Sequence, residues 1–377
     1  MTVDKKGANN LTVKCVNKRS IRNLLYARGS LTKQEIASLL KLSLPTVSNN
    51  ILQLKEEGLV AERGTQESTG GRKPQLLHFE YNARISIGID ISKSRIRVVI
   101  LNMAGDMLSE KRVKIPFEQT QSYWINVRQV MMETLQEGSI DEKKILGIGI
   151  AVPGTVNQRS GILELAPTLG LKNFPVKTIQ SYFTIPVHVE NEANSAGFAE
   201  VSKSTILKNV VYLSITKGVG GALIVNDSIF YGDNNRSGEF GHMTIIPGGE
   251  LCTCGRKGCL EAYCSVSVLA EHTDGDLELF FVKLENGDEN LRQVWDSYLE
   301  HLALGIVNLR MAFDTDIIIG GDLDEYLLGS FEQLYRKVKS LNPYEDTGSY
   351  IRLGQLGRNS SAIGAALKVT MEFLELI

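Results

Sequence analysis

Cysteine is scarce in this sequence: five residues in 377, an odd number. A small, odd count suits a disulfide framework poorly. No apolar run approaches the roughly 18 residues that a membrane helix needs. The opening stretch, MTVDKKGANNLTVKC, has no apolar core of the kind a secretory signal carries. These absences point away from disulfide-stapled and membrane-spanning classes. They lead to the expectation of a cytoplasmic chain, where structural disulfides are rare. What is present is ordinary for globular domains, with 43% hydrophobic and 22% charged residues. The length predicts more than one domain.

Charge is unevenly spread. Residues 1–78 hold 13 Lys and Arg against 6 Asp and Glu, so the remainder is acidic, with 28 against 37. A basic head on an acidic body suggests that the head meets a polyanion. Residues 17–63 read as three helices and a short ribbon. The first carries Ile21, Leu24 and Leu25 on one face and stops at Gly29. The second opens TKQE, in which Thr32 and Glu35 can form a reciprocal capping box. Ile36, Leu39 and Leu40 form its expected buried stripe. In the third, Leu44, Val47, Ile51 and Leu54 recur on one helical face.

Thr46, Asn49, Asn50 and Gln53 lie off that face as short or neutral polar side chains that can bond phosphates and base edges, and with Pro45 and Ser48 they are the candidates for DNA contact. Two short helices, the second with a polar outer face, match helix-turn-helix docking. LVAERGTQESTGGRKPQLLHF follows as two strands around a basic tip, a wing with Arg72 and Lys73 at its point. The alternative is a small helical dimerisation module with a solvated polar face. Basic charge, helix pattern and wing together favour double-stranded DNA.

Four of the five cysteines fall in CTCGRKGCLEAYC, Cys252 to Cys264. Disulfides, a redox pair, a metal or chance are all open on spacing alone. Around this cluster, from about residue 79, strands alternate with helices, which predicts α/β architecture. Two hairpin-rich strand sets, about 100 residues apart, suggest a duplicated lobe.

The body resembles the ROK family (repressors, open reading frames and kinases), whose fold is of the actin-like ATPase/hexokinase type. The resemblance runs through GIGIAVPGTV, ELAPTLGLKNFP, VENEANSAGFAE, SGEFGHM and CTCGRKGCLE. The head with its GGRKP tail is similar to the repressor branch, and NEAN, where the kinases have NDAN, looks most like the xylose-repressor subgroup. The expected organisation is a winged helix-turn-helix over 1–78 and a two-lobed ROK sugar-binding domain over 79–377. Lobe 1 would span about 79–190 plus the C-terminal helix, and lobe 2 about 191–360.

The resemblance implies a structural zinc held by His242, Cys252, Cys254 and Cys259, a closed N/S set of the kind zinc favours. Gly255 and Gly258 would let the chain turn between the ligands. Cys264 and Cys15 are expected to be buried thiols. The second nitrogen of His242 would bond a sugar hydroxyl, its direction fixed by the metal. Asn191, Glu239 and Glu261 match the family's other sugar contacts; each carboxylate, taken alone, would read as surface charge. Glu192 stands at the family's catalytic aspartate position. Its extra methylene displaces the base, and misplacement by about 1 Å costs on the order of a hundredfold.

The phosphate turn is altered too. DISKSRI, Asp90 to Ile96, carries Ser92 and Lys93 where active kinases have glycines that admit phosphate to bare backbone. Gly218, Gly220, Gly221, Gly320 and Gly321 read as turns of the fold. In APTLGLKNFP, Thr168 and Leu171 replace the family's Asn and Trp. The expected protein is therefore a sugar-responsive regulator, a homodimer or higher homo-oligomer, with a pentose or hexose effector and no catalytic residue. The alternative is an ATP-dependent sugar kinase carrying a DNA-binding head.

Overall fold

A computed structural model describes residues 5–65, 75–204, 206–345 and 348–376. The head contains α1 (Lys5–Arg28), β1 (Ser30–Thr32), α2 (Lys33–Leu40), α3 (Leu44–Glu56), β2 (Val60–Thr65) and β3 (Gln75–Phe79). Helix α1 begins well before the helix expected from residue 17. The capping box forms as expected: Glu35 N–H donates to Thr32 Oγ1 at 3.2 Å, and Thr32 N–H donates to Glu35 Oε2 at 2.7 Å. Strand β1, not expected from sequence, joins the wing as a third strand in the order β1-β3-β2. The wing tip with Arg72 and Lys73 lies outside the described residues.

Three positions on α2 and α3 depart from expectation. Leu44 and Leu39 are 47% and 54% exposed rather than buried. Asn50, expected on the outer face, is buried, because Val47, Asn50, Ile51 and Leu54 share the inward face of α3. Its Nδ2 donates to the Thr46 carbonyl at 2.8 Å, so it has no base edge to read.

The body repeats one topology twice. The first sheet contains β4 (Ile85–Ile91), β5 (Ile96–Asn102), β6 (Met107–Val113), β7 (Ile145–Val152) and β11 (Val187–Asn191), in the order β11-β7-β4-β5-β6. The second contains β12 (Val210–Ile215), β13 (Val219–Val225), β14 (Ser228–Ile229), β15 (Asp316–Gly321) and β16 (Ile351–Leu353), in the order β14-β13-β12-β15-β16. In each, the first three strands form antiparallel pairs and the last two add in parallel. A small sheet of β8 (Thr155–Asn157), β9 (Ile162–Ala166) and β10 (Leu171–Pro175) borders the first lobe.

Helices α4 (Gln121–Glu137) and α5 (Val176–Gln180) cover the first lobe. Helices α7 (Glu261–Cys264), α8 (Val266–Ala270), α9 (Leu277–Glu285), α10 (Glu289–Phe313), α11 (Asp324–Leu327) and α12 (Phe331–Leu341) belong to the second.

Two further helices, α6 (Glu192–Ser202) and α13 (Ser360–Leu376), cross between the sheets. Their approach is very close: a Cβ on Gly364 of α13 would lie 1.7 Å from the Ser195 carbonyl oxygen of α6, and one on Gly149 of β7 would lie 1.9 Å from that of Ala365. Only bare backbone fits there. Helix α13 thus presses on lobe 1 with one face and on α6 with another. Its C-terminal end enters the head, where Leu374 and Met103 join a core with Ile21, Leu25 and Ile51.

Candidate functional site

One cavity of about 570 Å³ lies between the lobes. Asn191, Glu192, Glu239, His242 and Glu261, assigned to the effector from sequence, all line it. They arrive from different elements. Asn191 ends β11 and caps α6, its Oδ1 accepting from Asn194 N–H at 2.9 Å while its Nδ2 donates to the Gly154 carbonyl at 2.9 Å. Those bonds fix its amide with one N–H to spare. Glu261 opens α7 and accepts from Val219 N–H at 3.1 Å and from Thr253 Oγ1 at 2.5 Å. A side chain on Gly218 would collide with it, its Cβ 2.7 Å from Glu261 Oε2. This glycine therefore makes room for the carboxylate.

His242 ends a single helical turn, Phe240–His242. The chain then forms a knuckle, paired Thr244 to Cys259 and Leu251 to Lys257. Gly255 and Gly258 bend it at φ of 84° and 80°, conformations that favour glycine. The ligand atoms of His242, Cys252, Cys254 and Cys259 consequently lie within 4.8 Å of one another. His242 Nδ1 is 3.6 Å from Cys252 Sγ, and Cys254 Sγ is 3.8 Å from Cys259 Sγ. Tetrahedral bonds of about 2.3 Å to sulfur and about 2.0 Å to nitrogen would set sulfurs about 3.8 Å apart and sulfur and nitrogen about 3.5 Å apart. These two distances fit such a site, and the four side chains together could hold a metal. Cys264 is buried apart from them and its thiol is pushed well up by burial. Cys15, expected to be buried, is instead exposed on α1.

The other imidazole nitrogen of His242, Nε2, is 4.0 Å from Glu239 Oε2. Glu239 also meets the opposite lobe, since Thr155 Oγ1 donates to its Oε1 at 3.4 Å. Glu192 stands beside Asp90 and Asp322 on the cavity wall. Burial first, then the two neighbouring carboxylates, raises its pKa to about 8. At neutral pH its carboxyl is mostly protonated. Asp90 is also raised, because burial outweighs the guanidinium of Arg97 3.5 Å away. The turn after β4 is closed by Ser92 N–H on the Arg95 carbonyl at 3.0 Å. Lys93 and Arg95 line the cavity rim with Arg358.

Sequence reasoning passed over several wall residues. Thr155 and Asp322 carry no signal in isolation, but Thr253 sits between two metal-type cysteines and could have been flagged. Of the altered loop, Thr168 lines the cavity, whereas Leu171 is buried in the lobe 1 core. On the head, Pro45 and Asn49 are exposed while Thr46, Ser48 and Gln53 are half-buried.

A helix-turn-helix with a three-stranded wing, joined to a twice-repeated α/β body with a cysteine-histidine knuckle at its cleft, defines a regulator-like relative of sugar kinases. The chain belongs to the ROK family: the model of that family matches residues 86–371, and that described as winged helix-turn-helix DNA-binding matches residues 17–61. The chain is 29% identical over 353 residues to a putative xylose repressor of Caldicellulosiruptor sp. (strain Rt8B.4), covering 88% of each. A ROK family transcriptional regulator, described as a homolog of E. coli MLC protein, superposes with a TM-score of 0.78 at 20% identity, over 96% of this chain and 97% of its own. The ROK hexokinase of Thermus thermophilus gives 0.64 at 24% identity, over 77% of this chain and 99% of its own. No helix among the described residues is long and apolar enough to cross a membrane.

Proposed function

We propose that the chain is a sugar-responsive, DNA-binding transcriptional repressor that does not phosphorylate its effector. The observation that carries the sugar-binding part of this reading is the double orientation of His242, with Nδ1 toward Cys252 of the cysteine cluster and Nε2 toward the cleft. Zinc held by His242, Cys252, Cys254 and Cys259 would fix the imidazole in one tautomer, leaving Nε2–H to donate to a sugar hydroxyl. Glu239 and Glu261 accept hydroxyl hydrogens, and Asn191 donates. Glu192, mostly protonated at neutral pH, donates as well.

The wall chemistry argues against a kinase. A general base must lie within hydrogen-bond reach of its proton, and the extra methylene of Glu192 would displace the carboxylate from where the family's aspartate stands. The Ser92–Arg95 turn presents side chains where phosphate needs open backbone.

The head, 1–78, reads a palindromic operator as part of a homodimer, with Pro45, Thr46, Ser48, Asn49 and Gln53 on the helix and Arg72 and Lys73 on the wing. The body, 79–377, supplies the effector site between lobe 1 (about 79–190 plus α13) and lobe 2 (about 191–360). Closure of the lobes on sugar would change the spacing of paired heads, to the extent that sugar binds the two states differently. The names of relatives make xylose the first effector to test. The test is calorimetry of the zinc-loaded chain with D-xylose and a panel of hexoses and amino sugars, without nucleotide, beside a coupled ATPase assay. Binding without turnover is expected; sugar-dependent turnover of about 1 s⁻¹ or more, an ordinary enzyme rate, would establish the kinase reading instead.

A further inference from the structure

The strand that delivers Asn191 to the cleft is tied to the helix that enters the head. His188 lies on β11, three residues before Asn191, and pairs in register with Gly149 of β7, where α13 touches the sheet. Its Nδ1 is 3.2 Å from Glu372 Oε1 on α13, and its Nε2 faces the buried Glu190 at 3.9 Å. Glu190 in turn accepts from Asn191 N–H at 2.8 Å, Asn194 Nδ2 at 3.2 Å, Gln158 Nε2 at 3.1 Å and Tyr231 OH at 2.6 Å. The same carboxylate thus orders the effector asparagine and faces the imidazole as a charge, without a hydrogen bond to its buried Nε2.

The far end of α13 is held as firmly. Arg22 of α1, fully buried, donates to the Leu374 carbonyl, and its guanidinium lies 5.8 Å from the Phe373 ring centroid. Arg19 adds a bond to the Glu375 carbonyl at 3.3 Å. Two cations on the last carbonyls suit the negative end of a helix. At its other end, Ser360 and Ser361 of α13 line the cavity. A continuous chain of packed and bonded groups therefore runs from cleft to head: Asn191, Glu190, His188, Glu372, the end of α13, and Arg22.

We propose that His188 is a positioning residue that locks the effector strand to α13, and so couples occupation of the cleft to the placing of the DNA-binding head. This rests on the effector reading above and adds the route by which it is transmitted. Contiguity alone does not establish coupling; a change in coupling with unchanged separate affinities does. The test uses the full chain, D-xylose, and a duplex selected from a random pool by the wild-type protein.

For His188→Gln and for Glu372→Gln, sugar affinity and sugar-free operator affinity are each expected to stay within about threefold of wild type. The factor by which xylose changes operator affinity, commonly about 5–150-fold in allosteric proteins, is expected to fall at least fivefold. Variants that keep the wild-type factor overturn the proposal. If D-xylose does not bind, whichever sugar of the panel binds the wild-type chain takes its place, and a wild-type chain whose operator affinity no sugar changes fails the effector reading instead. Amide exchange without sugar then decides the lock by itself. Faster exchange in the C-terminal turn of α13 and in α1 of both variants supports it, and unchanged exchange overturns it. Glu372 is part-exposed, so its variant retains the fold if the histidine variant does not.

Discussion

The Nδ1 atom of His242 lies 3.6 Å from the sulfur of Cys252, while the opposite ring nitrogen faces the carboxylate of Glu239 at 4.0 Å. One imidazole thus joins a cluster that could hold a metal to the cavity between the lobes. A metal on the cysteines would set the direction of the bond that the free ring nitrogen offers.

From this arrangement, metal and sugar binding should fail together. Elemental analysis is expected to find about one zinc per chain, as a closed four-ligand site requires. Stripping the metal with a chelator should lower the melting temperature and weaken sugar binding. Cys254→Ser should do the same, although Cys254 is exposed and lines no part of the cavity. Sugar affinity that survives a metal-free Cys254→Ser chain would separate the two functions.

Glu192 should behave as a neutral group at pH 7. Its pKa stands at about 8 against an ordinary 4.5, chiefly through burial. A raised carboxyl holds its proton more tightly folded than unfolded. Its contribution is therefore most favourable below pH 4.5 and declines as pH rises to about 8. Glu192→Gln should remove that decline. It should also keep sugar affinity at pH 7 within a few-fold, while Glu192→Ala weakens it by about 1–2 kcal/mol, the worth of a hydrogen bond. Calorimetry at pH 6, 7 and 9 reads both.

His188 should give a second and higher pH window. Burial opposes its charge, but Glu190 and Glu372 outweigh burial and raise the pKa to about 9 from 6.5. Lys368 on α13 and Tyr231 beside Glu190 complete the surrounding groups. A raised histidine stabilises fully below pH 6.5, and that stability is lost as pH rises through about 9. Thermal melts of His188→Gln should be flatter than wild type over this window.

In the head, the two neighbouring asparagines of α3 should separate. Asn49→Ala should weaken operator binding by about 1–3 kcal/mol, as loss of a base contact does, and leave the melting temperature unchanged. Asn50→Ala should instead destabilise the head by about 1–2 kcal/mol, because Asn50 is buried and bonded to Thr46. Anisotropy with a labelled duplex and a melting curve distinguish the outcomes.

Much of this was legible in the sequence because it was local or strongly patterned. The Thr32–Glu35 capping box needs only a three-residue spacing. The five residues expected at the effector and the four metal-type ligands lie in short motifs; the fold brings the five to one cavity and the four to one cluster. What escaped was mostly set by tertiary packing. Asn50 is the exception: it is polar, but it follows Val47 by three residues and precedes Leu54 by four, so the helix period itself carries it to the inward face. Leu44 and Leu39 fit apolar spacing, yet each lies past the edge of what that core covers. Cys15 follows the buried habit of cysteine, but the longer α1 carries it into solvent. The link from His188 to Glu372 spans 184 positions of chain, and no local pattern reports such a pair.

The most direct test of the central claim is calorimetric titration of the zinc-loaded wild-type chain and of His242→Ala with D-xylose and a panel of hexoses and amino sugars, in the absence of nucleotide. The wild-type chain is expected to bind at least one sugar, and His242→Ala to bind it at least tenfold more weakly, about 1.4 kcal/mol. A folded wild-type chain that binds none of them, or a His242→Ala chain that binds as tightly as wild type, would contradict the account.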